Sequence, residues 1–455
     1  MNSTELTLKN IPAEEERPTP SPKNFSEDLK AILISFSIVL LVIGLWSFFN
    51  IEMQAIKFKT WVNPEVLFNQ IFDLSVFGKW IFTGLLLAVI LGFSQKSSKK
   101  DSLRFFLSFL LLYTIGTVVY LLSAQTTMHN YLEYAFWALL LGLLIQNLLT
   151  VPSILKPALK SEFYIKIGLV LMGAEVLFSN IASFGIYGIG ISWIVVPIVL
   201  VFMWFFGTKV LKMKDTGLIM VIAVATAVCG VSAAIAASAA IKAKKNNLTF
   251  AVSLCILFTI VMMILMPIAV NFLDLGELIG GAWIGNTVDS TGAVVLAGEA
   301  VGPLASQVAA MIKMIQNVLI GVVAFVIAVF FAKREGTEET TSAKEIWSRL
   351  PKFILGFLGL SLIFSFIIQP LYGIDDTNKL ISILGSWKSW FFCLTFLCIG
   401  LETDFKKLVK DMDGGSPITL YIAGQSFSIV LSLIVCWFFL SGHFLSLPEI
   451  TVLGG

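Results

Sequence analysis

Two apolar stretches of the sequence carry small and polar residues where the neighbouring stretches carry Leu, Ile and Phe. The first runs from Thr226 to Lys244, and the second runs from Gly280 to Gly302. Polar side chains and helix breaks at membrane depth are costly unless they lie within protein or line a water-filled cavity. Both stretches are therefore predicted to be interrupted membrane segments that form a binding site. The polar residues of the second stretch are Asn286, Thr287, Asp289, Ser290, Thr291 and Glu299.

The first stretch has Cys229, Gly230 and Ser232 at its midpoint. Glycine permits a tight hairpin tip, and the free backbone N–H groups of such a tip, with the Ser232 hydroxyl, could face a ligand. A structural alternative is close helix packing, because Gly230, Ala234 and Ser238 recur at four-residue spacing. For the second stretch the alternative is a polar loop outside the membrane, which the apolar residues on both sides of it argue against.

Lys313 lies within an apolar run and is the predicted positive anchor of the site, with Asn317 one turn further on the same face. Its expected partners are Asp289 or Glu299, although a lysine in this position can also extend to the membrane interface. Glu175 either carries a proton at membrane depth or lies near the outer interface, and the sequence leaves both open. Interrupted membrane segments around a binding site are typical of transporters. In such a protein, Asp289, Glu299 and Glu175 are the candidate residues for coupling transport to a proton or cation.

The composition indicates a membrane protein, because 57% of the 455 residues are hydrophobic, 13% are charged and the mean hydropathy is +0.90. A net charge of +2 without a basic, aromatic-rich patch gives no reason to expect a nucleic-acid partner. The chain has no phosphate-binding loop, no GxSxG, no HExxH and no pairing of cysteines with histidines. We expect neither an enzyme nor a bound metal or cofactor.

About eleven apolar runs are long enough to cross a hydrocarbon core of about 30 Å. A polar segment, 1–28, precedes them and is expected to be a disordered cytoplasmic tail. Segment 29–125 is expected to form a scaffold or a dimer surface, and 126–455 is expected to form the transporter core. The runs lie near 30–49, 78–94, 103–123, 132–150, 164–182, 184–206, 248–272, 304–332, 352–371, 383–401 and 417–441.

Lysine and arginine accumulate in cytoplasmic loops, and most loops obey this rule if the N-terminus is cytoplasmic. The loop with Lys242, Lys244 and Lys245 obeys it only if the small-residue stretch before it is a re-entrant hairpin. The stretch from Gly280 to Gly302 then becomes a second hairpin that enters from the opposite face. Two broken helices that cross the membrane remain the alternative. Either arrangement is typical of an all-α polytopic transporter with inverted repeats.

Five segments occur in the order and approximate spacing of one bacterial family. They are IKIGLVLMGAEVLFSNI (165–181), ATAVCGVSAAIAASAAIKAK (225–244), GAWIGNTVDSTGAVVLAGEAVG (281–302), VAAMIKMIQNVLIG (308–321) and FLCIGLETDFKKL (396–408). From about Tyr131 onward, the chain resembles the YeiH-like family, also called UPF0324, to which sulfate export is ascribed. The resemblance implies a multi-pass protein of the bacterial cytoplasmic membrane with inverted repeats and a small-anion substrate.

The chain departs from the family pattern at Glu175 and Gln316, where the resemblance implies arginines, and at Asp289, where it implies a histidine. A buried sulfate needs positive charge or convergent N–H groups, so the missing arginines weaken the assignment of sulfate. Two functions therefore stay open. The first is an exporter of sulfate or a related sulfur oxyanion, coupled to H⁺ or Na⁺ and expected to be a homodimer in the bilayer. The second is a cation:proton antiporter that uses Asp289.

Overall fold

The computed structural model describes residues 27–71, 73–93, 99–126, 134–149, 151–335, 351–406 and 415–448. Within these ranges the chain is helical apart from turns, extended segments and one isolated β-bridge between Trp61 and Gln125. The predicted tail, up to residue 26, lies outside the described residues. The helices are α1 (Glu27–Phe49), α2 (Pro64–Ile71), α3 (Leu74–Phe93), α4 (Lys99–Ser123), α5 (Tyr134–Leu144), α6 (Ser161–Met172), α7 (Phe178–Phe205), α8 (Thr216–Ala227), α9 (Val231–Ala240), α10 (Lys245–Phe272), α11 (Gly276–Thr287), α12 (Thr291–Glu299), α13 (Pro303–Glu335), α14 (Phe353–Ile363), α15 (Gln369–Glu402) and α16 (Gly415–Leu440).

Eight helical spans of the described chain are long and apolar enough to cross a membrane. One of them, Phe353–Glu402, turns at Gly373 (φ 78°) and therefore contains two crossings. The shorter apolar helices of the described chain are α5, which extends through a π-helical turn to Leu149, and the helices α8 and α9. Within the described residues, these spans confirm the predicted all-α polytopic fold.

Helices α5, α6 and α15 pack closely because glycines face backbone or aromatic rings at their contacts. A Cβ atom at Gly142 of α5 would lie 2.9 Å from the Gly400 Cα of α15, and Gly168 of α6 lies against the Phe392 ring. Small residues allow membrane helices to approach this closely, which replaces the hydrophobic driving force that lipid does not provide. The recurring Ile-Gly-Leu triplets around Gly168 and Gly400 therefore mark packing contacts.

Helices α8 and α9 form a re-entrant hairpin, which we call hairpin 1. Asp215, the N-cap of α8, accepts hydrogen bonds from Leu218 N (2.9 Å), Asn247 Nδ2 (3.1 Å) and Lys244 Nζ (3.2 Å). If α8 and α9 ran in one direction, their combined length would separate Asp215 from Lys244 by about 33 Å. Burial raises the pKa of Asp215, but these donors outweigh it and the pKa lies below its usual value. The chain therefore leaves hairpin 1 on the face where it enters.

Helices α11 and α12 form a second re-entrant hairpin, hairpin 2. The Glu277 carboxylate at the start of α11 accepts hydrogen bonds from Leu304 N (2.8 Å) and Ala305 N (3.1 Å), which follow α12. Entry and exit are again adjacent. Helix α10 has 28 residues, about 42 Å. It begins where the chain leaves hairpin 1 and ends where the chain enters hairpin 2, and we call these two positions the mouths of the hairpins. The two hairpins therefore enter from opposite faces, which excludes the alternative of two broken crossing helices.

Each hairpin is followed by one long helix, α10 after hairpin 1 and α13 after hairpin 2. Because the hairpins enter from opposite faces, these two units run in opposite directions through the membrane. A pair of inverted units around discontinuous helices is the arrangement that places a transporter site near the midplane.

Candidate functional site

The tips of the two hairpins meet. Gly230, at the tip of hairpin 1, has a positive φ of 66°, and a Cβ atom there would lie 3.0 Å from the Asp289 carbonyl oxygen at the tip of hairpin 2. The same Cβ atom would collide with the Cys255 sulfur of α10. Glycine is required by both the backbone conformation and the close approach.

Side chains of α13 connect the two tips from behind. Lys313 Nζ donates to Val228 O of hairpin 1 (2.9 Å) and to the Gln316 side chain. Gln316 Nε2 lies 3.0 Å from Ala227 O and 3.3 Å from Asn286 O, so it donates to both hairpins. These contacts satisfy carbonyl groups that the helix breaks leave without a helical partner. Asn317 Nδ2 donates to Thr291 Oγ1 of hairpin 2 (3.1 Å).

Helix α16 supports the tip of hairpin 2 with three polar side chains. Tyr421 donates its hydroxyl to the Asp289 carboxylate, Gln425 Nε2 donates to Thr287 O (2.8 Å), and Asn286 Nδ2 donates to Ser432 Oγ (2.9 Å). Tyr421, Gln425 and Ser432 are not among the site residues that the sequence predicts. Their spacing of four and seven residues in an apolar helix is the signal that indicates a buried polar face.

A cavity of about 280 Å³ opens beside the hairpin tips. Its deep end is formed by tip residues and by the middle of α10, while α6 and α15 form the opposite wall. Its surface is mainly apolar, although half of the lining residues carry a hydroxyl or a charged group. The lining residues are Ser161, Glu162, Ile165, Lys166, Leu169, Cys229, Val231, Ser232, Cys255, Ile256, Thr259, Ile260, Ser290, Thr291, Gly292, Phe353, Thr395, Ile399, Glu402 and Thr403.

The charged residues of the cavity lie at its mouth, on the face from which hairpin 1 enters. Lys166 pairs with Asp28 at 3.0 Å, and the other Asp28 oxygen accepts the N–H of Lys352. Lys352 follows α13, which starts at the mouth of hairpin 2 and spans the molecule in 33 residues. Glu162 and Glu402 lie at the same end. The cavity therefore leads from one face of the protein to the hairpin tips.

Two helix N-termini point to this cavity. Helix α9 begins with Val231 and Ser232, and α12 begins with Thr291 and Gly292, all of which line the cavity. The first helical hydrogen bonds come later, from Ala234 N to Gly230 O and from Val294 N to Ser290 O. The N–H groups before them, reinforced by the helix dipoles, create positive potential at the cavity wall.

The predicted site residues fall into three groups. Cys229, Ser232, Ser290 and Thr291 line the cavity, and Gly230 lies at the contact of the tips between the lining residues Cys229 and Val231. Asn286, Thr287, Asp289, Lys313 and Asn317 are at most 3% exposed and hold the tips from behind. Glu299 and Glu175 lie elsewhere: Tyr134 donates to Glu299 at 3.4 Å, and Glu175 pairs with Lys388 at 2.6 Å.

The expected ion pair of Lys313 with Asp289 or Glu299 is wrong. Among the described residues Lys313 forms no ion pair, although it is only 1% exposed. Its ammonium group instead donates to the backbone carbonyl of Val228 and to the side-chain carbonyl of Gln316, which lies one turn further along α13. Within the described part of the chain, no group of three or more His, Cys, Asp or Glu side chains has the geometry of a metal site.

The comparisons with known proteins agree on one family. A family model described as Conserved hypothetical protein 698 matches residues 107–417. A UPF0324 membrane protein of Rhodopirellula baltica is 44% identical over 361 residues, covering 78% of this chain and 66% of the relative. Two UPF0324 membrane proteins of Nitratidesulfovibrio vulgaris are 43% and 42% identical, covering 82% and 89% of this chain.

The chain spans 64% and 69% of the length of these two Nitratidesulfovibrio relatives, so it matches about two thirds of each. No solved structure matches the chain. The family model covers both hairpins, the cavity and most of the crossings described above. The chain belongs to the UPF0324 family of membrane proteins.

Proposed function

We propose that the protein is a secondary active transporter of a small anion, with sulfate or a related sulfur oxyanion as the substrate class. One observation carries the proposal: two oppositely inserted hairpins present the N-termini of α9 and α12 to the same cavity. Backbone N–H groups at helix N-termini can replace the hydration of an anion at membrane depth without a bound cofactor. The hydroxyls of Ser232, Ser290 and Thr291 add donors of the kind that oxyanions accept.

The surroundings of Lys313 and Asp289 at the hairpin tips support an anion better than a cation. Lys313 lies directly behind the tips, donates to carbonyl oxygens and has no carboxylate in contact, although the charge of Asp289 acts on it. Asp289 belongs to the tip but does not line the cavity, and its carboxylate is occupied by Tyr421. A cation:proton antiporter needs a carboxylate that the ion can reach, and this arrangement supports it less well.

Alternating access follows from the inverted units. The cavity reaches the tips from the face of hairpin 1, and an equivalent rearrangement of hairpin 2 would expose the same site to the other face. We place the hairpin 1 face in the cytoplasm of a bacterial inner membrane, since Lys242, Lys244 and Lys245 follow that hairpin. Export, coupling to H⁺ or Na⁺, a homodimeric state and the absence of enzymatic activity belong to the same proposal.

Thermal unfolding of the purified protein tests the proposal. A ligand that binds only the folded state stabilises it by about 2.7 kcal/mol at one hundred times its Kd. We expect sulfate, sulfite or thiosulfate to raise the unfolding temperature above that in chloride of equal ionic strength. Lys313→Met should weaken the anion affinity derived from these temperatures at least tenfold. Lys379→Met should leave that affinity unchanged, because Lys379 pairs with Asp376 on the exposed surface.

Proteoliposomes separate the two transport functions. Uptake of labelled anion with no response of an internal pH dye to Na⁺ or K⁺ supports the anion transporter. A pH response to Na⁺ or K⁺ that Asp289→Asn abolishes, with no stabilisation by any anion of the panel, would replace it with the cation:proton antiporter.

A further inference from the structure

Glu175 and Lys388 form the most buried ion pair among the described residues. Their side chains are 11% and 14% exposed, and Lys388 Nζ lies 2.6 Å from Glu175 Oε2. Glu175 follows the end of α6, and Lys388 lies in the middle of α15. Removing two charges from water costs several kcal/mol for each ion, and a hydrophobic pair of similar volume often stabilises a protein as well. A contribution to folding stability therefore does not explain why this position holds an ion pair.

The pair lies on the same helix faces that line the cavity. On α15, Lys388, Thr395 and Glu402 are spaced by seven residues, and the last two line the cavity. Residues at this spacing share one helix face, so Lys388 lies about 10 Å beyond Thr395, away from the mouth. On α6, Glu162 and Leu169 line the cavity, and Glu175 lies beyond them in the same direction. The pair therefore continues the cavity wall on the side opposite the mouth.

The Phe392 side chain lies between Lys388 and the cavity-lining Thr395 on this face of α15. Phe392 is fully buried, and its ring packs against Gly168 of α6. Lys388 Nζ lies 5.9 Å from the centre of this ring, so the ring also contacts the ammonium group. The Glu175 carboxylate can lie against α15 because residue 385 is glycine: a Cβ atom there would be 3.2 Å from Glu175 Oε1.

We infer that Lys388 is a second anion-binding subsite, in which the Glu175 carboxylate occupies the position of the anion while the subsite is closed. The ligand is a small oxyanion, and it competes with Glu175 for the Lys388 ammonium group. This inference rests on the proposed function, because the anion reaches Lys388 through the cavity. It adds a step, in which the anion leaves the hairpin tips along α6 and α15 toward the opposite face.

Neutralising the two partners separately tests the competition. Sulfate binding is measured by the dependence of the unfolding temperature on sulfate concentration, in chloride of matched ionic strength. Glu175→Gln removes the competing carboxylate and should tighten sulfate binding roughly tenfold, the equivalent of one charge-assisted hydrogen bond. Lys388→Gln should weaken sulfate binding by a similar factor. A purely structural ion pair would not move the two affinities in opposite directions.

Two further variants keep the test decisive if Glu175→Gln does not fold. Gly385→Ala keeps both charges but crowds the Glu175 carboxylate, so it should also tighten sulfate binding. Asp376→Asn breaks the exposed pair with Lys379 on the same helix and should change nothing. Equal sulfate affinity in wild type, Gly385→Ala and Lys388→Gln overturns the subsite. If Lys313→Met is the only variant that weakens sulfate binding, the proposed function stands without the Lys388 subsite. A wild-type protein that binds no anion overturns both the subsite and the proposed function.

Discussion

At the scale of single residues, the contact between the hairpins depends on Gly230. Its φ of 66° is costly for any residue with a Cβ atom, and its neighbours leave no space for one. Gly276 has a similar φ of 68°, but a Cβ atom there would have no atom within 4 Å. A substitution at Gly276 therefore introduces backbone strain alone, whereas a substitution at Gly230 introduces backbone strain and steric overlap with the other hairpin.

We predict that Gly230→Ala lowers the free energy of unfolding by at least about 2 kcal/mol, whereas Gly276→Ala lowers it by about 1 kcal/mol. A left-handed conformation costs about 1–2 kcal/mol for a residue with a Cβ atom, and overpacking adds about 1–3 kcal/mol. Thermal unfolding in one detergent measures both. Equal losses in the two variants would show that the hairpin tips are not in close contact.

At the scale of the elements, the two hairpins decide which loops face the same solution. Lys244 lies at the mouth of hairpin 1, and Asn271 lies in the last turn of α10, beside the mouth of hairpin 2. Both residues are exposed. The 28 residues of α10 separate the two mouths, so one impermeant reagent cannot reach both from one side.

We predict that cysteines introduced at Lys244 and Asn271 are labelled from opposite sides of the membrane. In intact cells an impermeant maleimide should modify Asn271→Cys only, and Lys244→Cys should react after the cells are opened. The background lacks the native cysteines, and a variant without any cysteine is the control. Labelling of both positions in intact cells would contradict the hairpins, because α10 would then fail to cross the membrane.

At the scale of the whole molecule, the structure has its cavity open to the face of hairpin 1. Cys229 and Cys255 line this cavity at its deep end, whereas Cys393, Cys398 and Cys436 are fully buried away from it. The chain thus contains two natural reporters of access to the hairpin tips and three reference thiols.

We predict that a small methanethiosulfonate reagent modifies Cys229 and Cys255 from the hairpin 1 face and blocks anion transport. Sulfate should slow the modification, because the ligand occupies the space beside both thiols. Peptide mapping of the modified protein identifies the reacting residues, and the Cys229→Ser/Cys255→Ser double variant should keep its transport after treatment. Modification of Cys393 or Cys398 at the same rate would mean that the reagent does not enter through this cavity.

Much of this fold was predictable from the sequence. Hydropathy located the long apolar helices, because each crossing must bury about the same length in hydrocarbon. The small residues around Gly230 and the polar residues around Asp289 identified the two interrupted helices. Helix breaks and polar side chains without hydrogen-bond partners are not stable in contact with lipid. The charge of Lys242 and Lys244 favoured hairpins over broken crossings, and the mouths of both hairpins confirm that choice.

The tertiary structure alone decided which polar groups meet. Lys313 binds Val228, which is 85 residues away, and Tyr421 binds Asp289 across 132 residues. Such pairs depend on how helices lie beside one another, whereas the sequence periodicity shows only which residues share a face of one helix. For the same reason Glu175 found a partner in Lys388 that no local pattern indicates. The sequence determined that these buried groups need partners, and the packing of the helices determined which partners they have.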